Sequence, residues 1–286
     1  MPKVADKKVR HICGISGGKD SAALAIYMRE NFPELEIQYF FTDTGEELPE
    51  VYEFLGKLEG LLGKKINYLN PDRDFKFWLR HNGNFLPSPQ TRWCTIKLKL
   101  QPFKAWINEW LNKGDQVVSY GAIRADEEHR DGMQSHHKNL TVKLPFREFG
   151  LNKEDVLDIL EASGLGLPKY YEWRSRSGCT FCFFQQKIEW VRLKERHPEA
   201  FENAKNMEKT AIETGTRFTW SQNEPLTDLE KPERMLQIKN DFEARKQKEL
   251  ANRKVNPLRV FNSENLDLDD LYLEEEGGGA CLVCHK

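Results

Sequence analysis

The sequence predicts an α/β domain with a mainly parallel, twisted sheet flanked by helices, followed by a helical C-terminal extension. Two observations carry this expectation. Short apolar runs alternate with helical patterns from residue 9 onward, which is how βαβ units read in sequence. The first run also passes through Ser16-Gly17-Gly18-Lys19-Asp20-Ser21 straight into a helical pattern, a strand–turn–helix junction of the kind that binds anions.

Taken in order, Val9 to Ile15 reads as a short buried strand and Ala22 to Phe32 as a helix with Leu24, Ile26, Tyr27 and Met28 inward. Glu36 to Phe41 is a second strand. Pro49 suits the first turn of a helix through Leu62, with Val51, Phe54, Leu55 and Leu58 at helical spacing. Lys65 to Leu69 is a third strand. Residues 71–95 read as a long loop or lid with an aromatic cluster of Phe75, Phe77 and Trp78. Lys97 to Asn112 is helical, with Pro102 beginning or kinking it. Gln116 to Ile123 and Thr141 to Phe146 are further strands, and Asn152 caps a helix from Lys153 to Ala162.

Beyond Leu167 the texture changes. Two amphipathic helical stretches, near 187–214 and 232–254, are separated by a loop with Pro225. An acidic segment (267–276) then leads through three glycines to Cys281-Leu-Val-Cys284-His285. The expected division is an α/β domain over 1–165, a cysteine-containing helical extension over 166–262 and a tail over 263–286.

Composition sets the bounds. With 39% hydrophobic residues the chain can bury a core, and no run approaches the roughly 20 apolar residues of a membrane span. The first residues carry no apolar signal region, so a cytoplasmic protein with no membrane partner is expected. Six cysteines in such a chain point to metal or thiol chemistry ahead of a disulfide framework. Lysine and arginine total 43 against 45 acids, which excludes a uniformly basic nucleic-acid binder but leaves room for a local basic face.

The glycine turn carries the chemistry. Gly17 and Gly18 permit a tight turn and close approach of a phosphate to backbone N–H groups, and the helix dipole favours anions there. Lys19 adds a cation, Ser16 and Ser21 add hydroxyls, and Asp20 suits Mg²⁺ or a water. The spacing differs from the Walker pattern. Asp43, at the end of the second strand, is either a partner for a ribose hydroxyl or Mg²⁺-bound water, or a turn or helix-cap residue.

The Ser16–Ser21 segment resembles the loop of the PP-loop ATP pyrophosphatases, which split ATP between its α- and β-phosphates. Further segments resemble the phosphoadenylyl-sulfate (PAPS) reductase family, a branch of that superfamily with an adenine nucleotide alpha hydrolase-like fold. These are Thr42-Asp43-Thr44-Gly45, Arg92-Trp93-Cys94-Thr95 with Lys97, Gly121-Ala-Ile-Arg124-Ala-Asp126, Pro145-Phe-Arg-Glu and Ser177-Gly-Cys179-Thr-Phe-Cys182. Together they span about residues 9–195 in the family's order. The resemblance implies an adenine nucleotide among the loop, Asp43, Gly121 and Arg124. Sulfonucleotide reductases tend to carry a degraded loop, because their substrate has no β- and γ-phosphates. An intact loop therefore implies ATP with Mg²⁺, cleaved to AMP and pyrophosphate by adenylation of an acceptor, as in the DNA phosphorothioation sulfurtransferase branch. Lys19, Asp20, Ser21 and Arg124 are the expected catalytic set; Arg130 is a second candidate for the α-phosphate, and either arginine has Glu127 or Glu128 as an alternative partner.

Cys179-x-x-Cys182 by itself fits zinc, an iron–sulfur cluster or a redox dithiol. The resemblance adds Cys94, because related reductases hold a [4Fe–4S] cluster with cysteines at these sites. They have two adjacent cysteines where this chain has Cys94-Thr95, so one iron is left without a protein thiolate, open to a sulfide, unless Cys281 or Cys284 reaches in; Cys94, Cys179, Cys182 and Cys284 are the expected set. Zinc and buried thiols are the alternatives. Cys13 is expected in the core. Arg174, Arg176, Lys187, Arg192, Lys194 and Arg196, near Tyr170, Tyr171 and Trp173, form either a polynucleotide-binding face or a solvated helix.

Three functions follow as expectations. The first is ATP-dependent sulfur transfer to an anionic acceptor such as nucleic acid, with a sulfur-donor or reductant protein as partner. A thiol-dependent sulfonucleotide reductase is the second, and a non-catalytic nucleotide-binding subunit of a nucleic-acid-associated or defence complex the third.

Overall fold

Strand β1 (Val9–Ile15) occupies the middle of a five-stranded sheet in the computed structural model, which describes residues 7–252 except 134, 136, 176–177, 214, 216–218 and 222–223. It pairs in parallel with β2 (Ile37–Phe41) on one side and β4 (Gln116–Tyr120) on the other. β3 (Ile66–Tyr68) extends the sheet beyond β2, and β5 (Leu140–Lys143) beyond β4, both in parallel. The order is β3-β2-β1-β4-β5. The chain winds outward from β1 to β3, then crosses back to start β4, so its direction reverses between β1 and β4. In such sheets the ligand crevice opens at that reversal, beyond the carboxyl ends of the strands.

Alternation along β1 explains the two layers. Ile12, with Phe40 and Val117, packs on Phe103, Ile107 and Leu111 of α4 (Gln101–Asn112). Cys13 and Ile15 face the larger core with α1 (Lys19–Asn31), α2 (Pro49–Leu62) and α6 (Lys153–Ala162). That core continues without an apolar break through Trp173, Trp190, Phe201 and Phe242. Full burial of a side chain of this size contributes about 2–3 kcal/mol. Burial pushes the Cys13 thiol up to about 12, which fits the core role expected of it.

Several boundaries differ from expectation. α1 begins at Lys19, inside the glycine turn, so Lys19, Asp20 and Ser21 are helical and buried. Residues 71–95 contain α3 (Phe75–His81), capped by the Asp74 carboxylate, which accepts from the Phe77 N–H at 2.6 Å. A π-helical turn over Thr95–Leu100 runs into α4, with Pro102 in the first turn of that helix. β4 stops at Tyr120 and β5 at Lys143, because Pro145 starts a short helix, α5 (Pro145–Glu148), where its missing N–H costs nothing. Asn152 and Asp155 form a reciprocal capping box on α6, the Asn152 N–H donating to Asp155 Oδ2 at 2.7 Å and the Asp155 N–H to Asn152 Oδ1 at 3.4 Å, while the Glu154 N–H also donates to Asn152 Oδ1 at 2.7 Å. The single helix expected over 187–214 is two, α7 (Lys187–Arg196) and α8 (Pro198–Glu213), broken where Pro198 forbids continuation. α9 (Leu226–Leu229) and α10 (Pro232–Asn252) complete the described chain. No helix among the described residues is long and apolar enough to cross a membrane.

Candidate nucleotide site and cysteine segment

The glycine loop is braced from within. Ser21 Oγ accepts from the Ser16 N–H at 3.0 Å, lies 3.0 Å from Ser16 Oγ and donates to the Gly18 carbonyl at 3.2 Å. Ser21 thus holds the turn shut across one helical turn. Gly18 stands at the N-cap of α1, with no side chain capping the helix. Gly17 has φ +76°, and a Cβ there would meet Val51 Cγ1 at 2.6 Å, so glycine is required on both backbone and packing grounds.

Arg124, just past β4, reaches the loop from the other side of the reversal. Its Nη1 donates to Asp20 Oδ1 at 2.7 Å, its Nε donates to Asp126 Oδ1 at 2.9 Å, and Glu127 lies 3.9 Å away. Burial disfavours the guanidinium charge, but Asp20, Asp126 and Glu127 outweigh it and hold the group above its ordinary range. Arg130 instead pairs with Glu127 at 2.5 Å, one of its expected alternatives. Gly121 donates its N–H to the Lys143 carbonyl at 2.9 Å, carrying the β4–β5 pairing up to the site.

Asp43 Oδ1 accepts from the Gly45 N–H at 2.9 Å and the Tyr52 hydroxyl at 2.8 Å. Asp43 Oδ1 is thus engaged in the turn after β2. Burial, then the bond to Asp43, raises the Tyr52 phenol above its ordinary range.

Sequence reasoning missed a clamp from the far side of the chain. The Tyr170 hydroxyl donates to the Gly17 carbonyl at 3.2 Å, the Tyr171 hydroxyl accepts from the Lys19 N–H at 3.4 Å, and Lys19 Nζ sits 5.0 Å from the Tyr171 ring centre. Only the aromatic run itself signalled these residues. Within the expected basic and aromatic stretch over 170–196, Tyr170, Trp173 and Arg174 are buried, and the cations on α7 have acidic or carbonyl partners. Lys187 pairs with Glu224 at 2.6 Å, Lys194 with Glu230 at 2.5 Å and Arg196 with Glu172 at 3.4 Å, while Arg192 donates to the Trp173 carbonyl. Arg176 lies outside the described residues.

The cysteine segment joins the loop after β2. Glu47 and Cys179 form an antiparallel bridge, Thr180 N–H donates to the Glu46 carbonyl at 2.6 Å, and Leu48 N–H donates to the Gly178 carbonyl at 2.7 Å. Cys179 Sγ is 3.5 Å from Glu47 Oε1. Phe75 packs on both Trp93, beside Cys94, and Phe181, between Cys179 and Cys182, with ring centres 4.9 Å apart in each case. The three thiols thus sit on segments that share one aromatic hub. Among the described residues, however, no group of three or more His, Cys, Asp or Glu side chains is close enough to hold a metal ion. Cys281, Cys284 and His285 lie outside the described residues.

A cation–aromatic surface appears instead on α3. Lys97 Nζ lies 4.4 Å above Trp78, Arg73 Cζ lies 5.1 Å above Phe77, and Phe77 stacks on His81 with an 8° interplanar angle. Phe77 and Ile96 are exposed, and α3 itself carries Lys76, Arg80 and His81 with no acid.

The family model of the phosphoadenosine phosphosulfate reductase domain matches residues 10–158. An uncharacterized protein of Methanocaldococcus jannaschii is 29% identical over 197 residues, covering 67% of this chain and 40% of that protein. A second from the same organism is 24% identical over 243 residues, 82% of this chain and 55% of that protein. The chain therefore spans about half the length of these two archaeal relatives. An uncharacterized 37.8 kDa protein of Escherichia phage 186 is 27% identical, covering 66% of this chain and 71% of the phage protein. Among solved structures, the chain is similar to PAPS reductase from Candida auris (TM-score 0.45, 12% identity, 62% of this chain and 84% of that one). Another is the U34-tRNA thiolase NcsA from Methanococcus maripaludis with its [4Fe–4S] cluster (TM-score 0.41, 15% identity, 75% and 74%).

Proposed function

The chain belongs to the phosphoadenosine phosphosulfate reductase domain family, and from that premise we propose that it binds ATP at the glycine loop and splits it to AMP and pyrophosphate while adenylating an acceptor. The observation that carries this reading is the complete Ser16–Ser21 loop, closed at the carboxyl end of β1 and faced by the Arg124–Asp20 pair at the end of β4.

In the proposed reaction an acceptor oxygen attacks the α-phosphorus, the bond to the oxygen bridging the β-phosphate breaks, and pyrophosphate leaves. Lys19 and the α1 N-terminus stabilise the departing charge. Arg124 balances charge at the α-phosphate, and Asp20 orients Arg124. Hydrosulfide from a donor protein then attacks the adenylated carbon, and AMP departs with the acceptor oxygen, with no net oxidation or reduction. Asp20 and Asp43 are each engaged by protein donors. Magnesium, if bound with ATP, would neutralise phosphate charge there, and no step depends on a carboxylate ligand.

Cys94, Cys179 and Cys182, with Cys284, are the proposed ligands of a [4Fe–4S] cluster, with zinc as the alternative. The packing of Trp93 and Phe181 on Phe75, which draws the segments of Cys94, Cys179 and Cys182 together, supports the first three ligands, whereas these thiols do not by themselves form a metal site. No step above passes through the cluster. Anaerobically purified protein is expected to carry about four irons per chain, and zinc without iron would replace that assignment.

Nucleic acid is the proposed acceptor class, on the strength of the α3 surface. Equal yields of AMP and pyrophosphate from ATP, raised by single-stranded DNA or RNA, are the expected result. ADP with phosphate, or no turnover, overturns the reading. The family match itself favours a second reading, a thiol-dependent sulfonucleotide reductase, for which sulfite release from PAPS that disappears in Cys281→Ser or Cys284→Ser would speak. Tight ATP binding without turnover, with co-purifying proteins, would mark a nucleotide-binding subunit.

A further inference from the structure

Arg174 is fully buried, and its Nε, Nη1 and Nη2 all lack a hydrogen-bond partner among the described residues. A guanidinium is a permanent charge with five donors, so leaving it dry and unpaired opposes folding strongly. Its Cζ lies 5.8 Å from the Trp173 ring, and the Trp173 indole N–H also lacks an acceptor among the described residues. The nearby carboxylate of Glu189 is already committed. Its Oε1 accepts from the N–H and hydroxyl of Ser175 at 2.7 and 2.8 Å, and its Oε2 accepts from the Gln186 N–H at 3.0 Å.

The position of Arg174 in the fold is as informative as its lack of partners. Its backbone N–H donates to the Tyr170 carbonyl at 3.0 Å, and the Tyr170 hydroxyl donates to the Gly17 carbonyl. On the other side, Ser175 is tied to Glu189 of α7, and Arg192 of the same helix donates to the Trp173 carbonyl. The turn carrying Arg174 is thus fixed between the glycine loop and α7, four residues before the Gly178–Thr180 stretch that bonds to the loop after β2.

We propose that Arg174 is an anion-binding residue whose guanidinium receives a phosphoryl or sulfuryl oxyanion of the bound substrate, at a point separate from the glycine loop. The planar fork of arginine matches two oxygens of a tetrahedral oxyanion, and the buried setting strengthens the pairing. The location rests on the nucleotide reading given above; the oxyanion chemistry does not.

The test uses the full chain, with thermal melting and tryptophan fluorescence titration against ATP, pyrophosphate, AMP and inorganic sulfate. Arg174→Met removes a charge that has no partner among the described residues, so its ligand-free melting temperature should equal or exceed that of the parent. Its affinity for pyrophosphate or ATP should fall roughly tenfold or more, the loss of a bidentate charge-assisted pair, with Arg174→Lys between the two. A larger response to ATP and pyrophosphate than to equal sulfate assigns the oxyanion to the nucleotide; the reverse assigns it to a free or acceptor-borne group. A lower ligand-free melting temperature in both variants means that the guanidinium has a partner within the fold, and overturns the proposal. Unchanged affinities in Arg174→Met overturn it while leaving the nucleotide reading intact. A sulfate response that depends on Arg174, without any nucleotide binding, sinks the nucleotide reading alone.

Discussion

Arg124 and Asp20 form an ion pair of 2.7 Å that ties the loop after β4 to the first turn of α1 across the reversal of the sheet. Both side chains are largely buried, so the pair is screened weakly and its geometry is set by two rigid elements. Arg124→Ala should lower kcat/KM for AMP formation by about 10²–10³-fold, with Arg124→Lys recovering part of it. Because Asp20 acts through Arg124, the Asp20→Ala and Arg124→Ala effects should couple by about 1–3 kcal/mol in a double-mutant cycle on kcat/KM. Additive effects would separate the two residues.

Gly17→Ala should destabilise the fold by about 2 kcal/mol or more, from a left-handed backbone and a clash with Val51. Adding Val51→Ala should relieve the clash without relieving the backbone term. Urea unfolding of the single and double variants measures both contributions, and a neutral Gly17→Ala would remove the steric account.

Glu224 provides a pH signature away from the site. Its hydrogen bond to Arg234, assisted by Lys187, holds its carboxyl down to about 2 against burial. A depressed acid contributes stability above its unfolded value of 4.5 and loses that contribution as pH falls toward about 2. Glu224→Gln should therefore lower stability at neutral pH by on the order of 1 kcal/mol after screening. The difference from the parent should close as denaturant midpoints are measured from about pH 5 down to about pH 2.

The α3 surface predicts how single strands bind. Trp78→Ala should cost about 1–3 kcal/mol of affinity for an oligonucleotide, the range for one stacked base. Lys97→Ala should reduce the salt slope of binding by about one phosphate contact. Binding indifferent to both changes would move the acceptor elsewhere.

Local chemistry explains which parts were legible in sequence. Pro49 at a helix start, the Asn152 cap and the glycine turn all act within a few residues, and each is found in its expected place. The break at Pro198 carried the same kind of signal, but a strong amphipathic pattern on both sides concealed it. α3 has seven residues, too few for periodicity to separate from an aromatic loop. The partners of functional groups were less legible because they are distant in sequence. Asp20 and Arg124 are 104 residues apart, and Tyr170 is 153 from Gly17. The burial of Arg174 runs against every compositional expectation for arginine, so only tertiary packing reveals it.

The Cys179 segment is attached to the strand-end loop at Glu46–Leu48 by main-chain bonds, from Thr180 N–H to the Glu46 carbonyl and from Leu48 N–H to the Gly178 carbonyl. Such bonds do not depend on which side chains flank them. Substitutions at positions 179 and 182 can therefore change what side chain is presented while the spacing to the carboxyl end of β2 stays the same. The fold works as a fixed jig with an exchangeable tool, in which the group carried at positions 179 and 182 can be traded without rebuilding the frame.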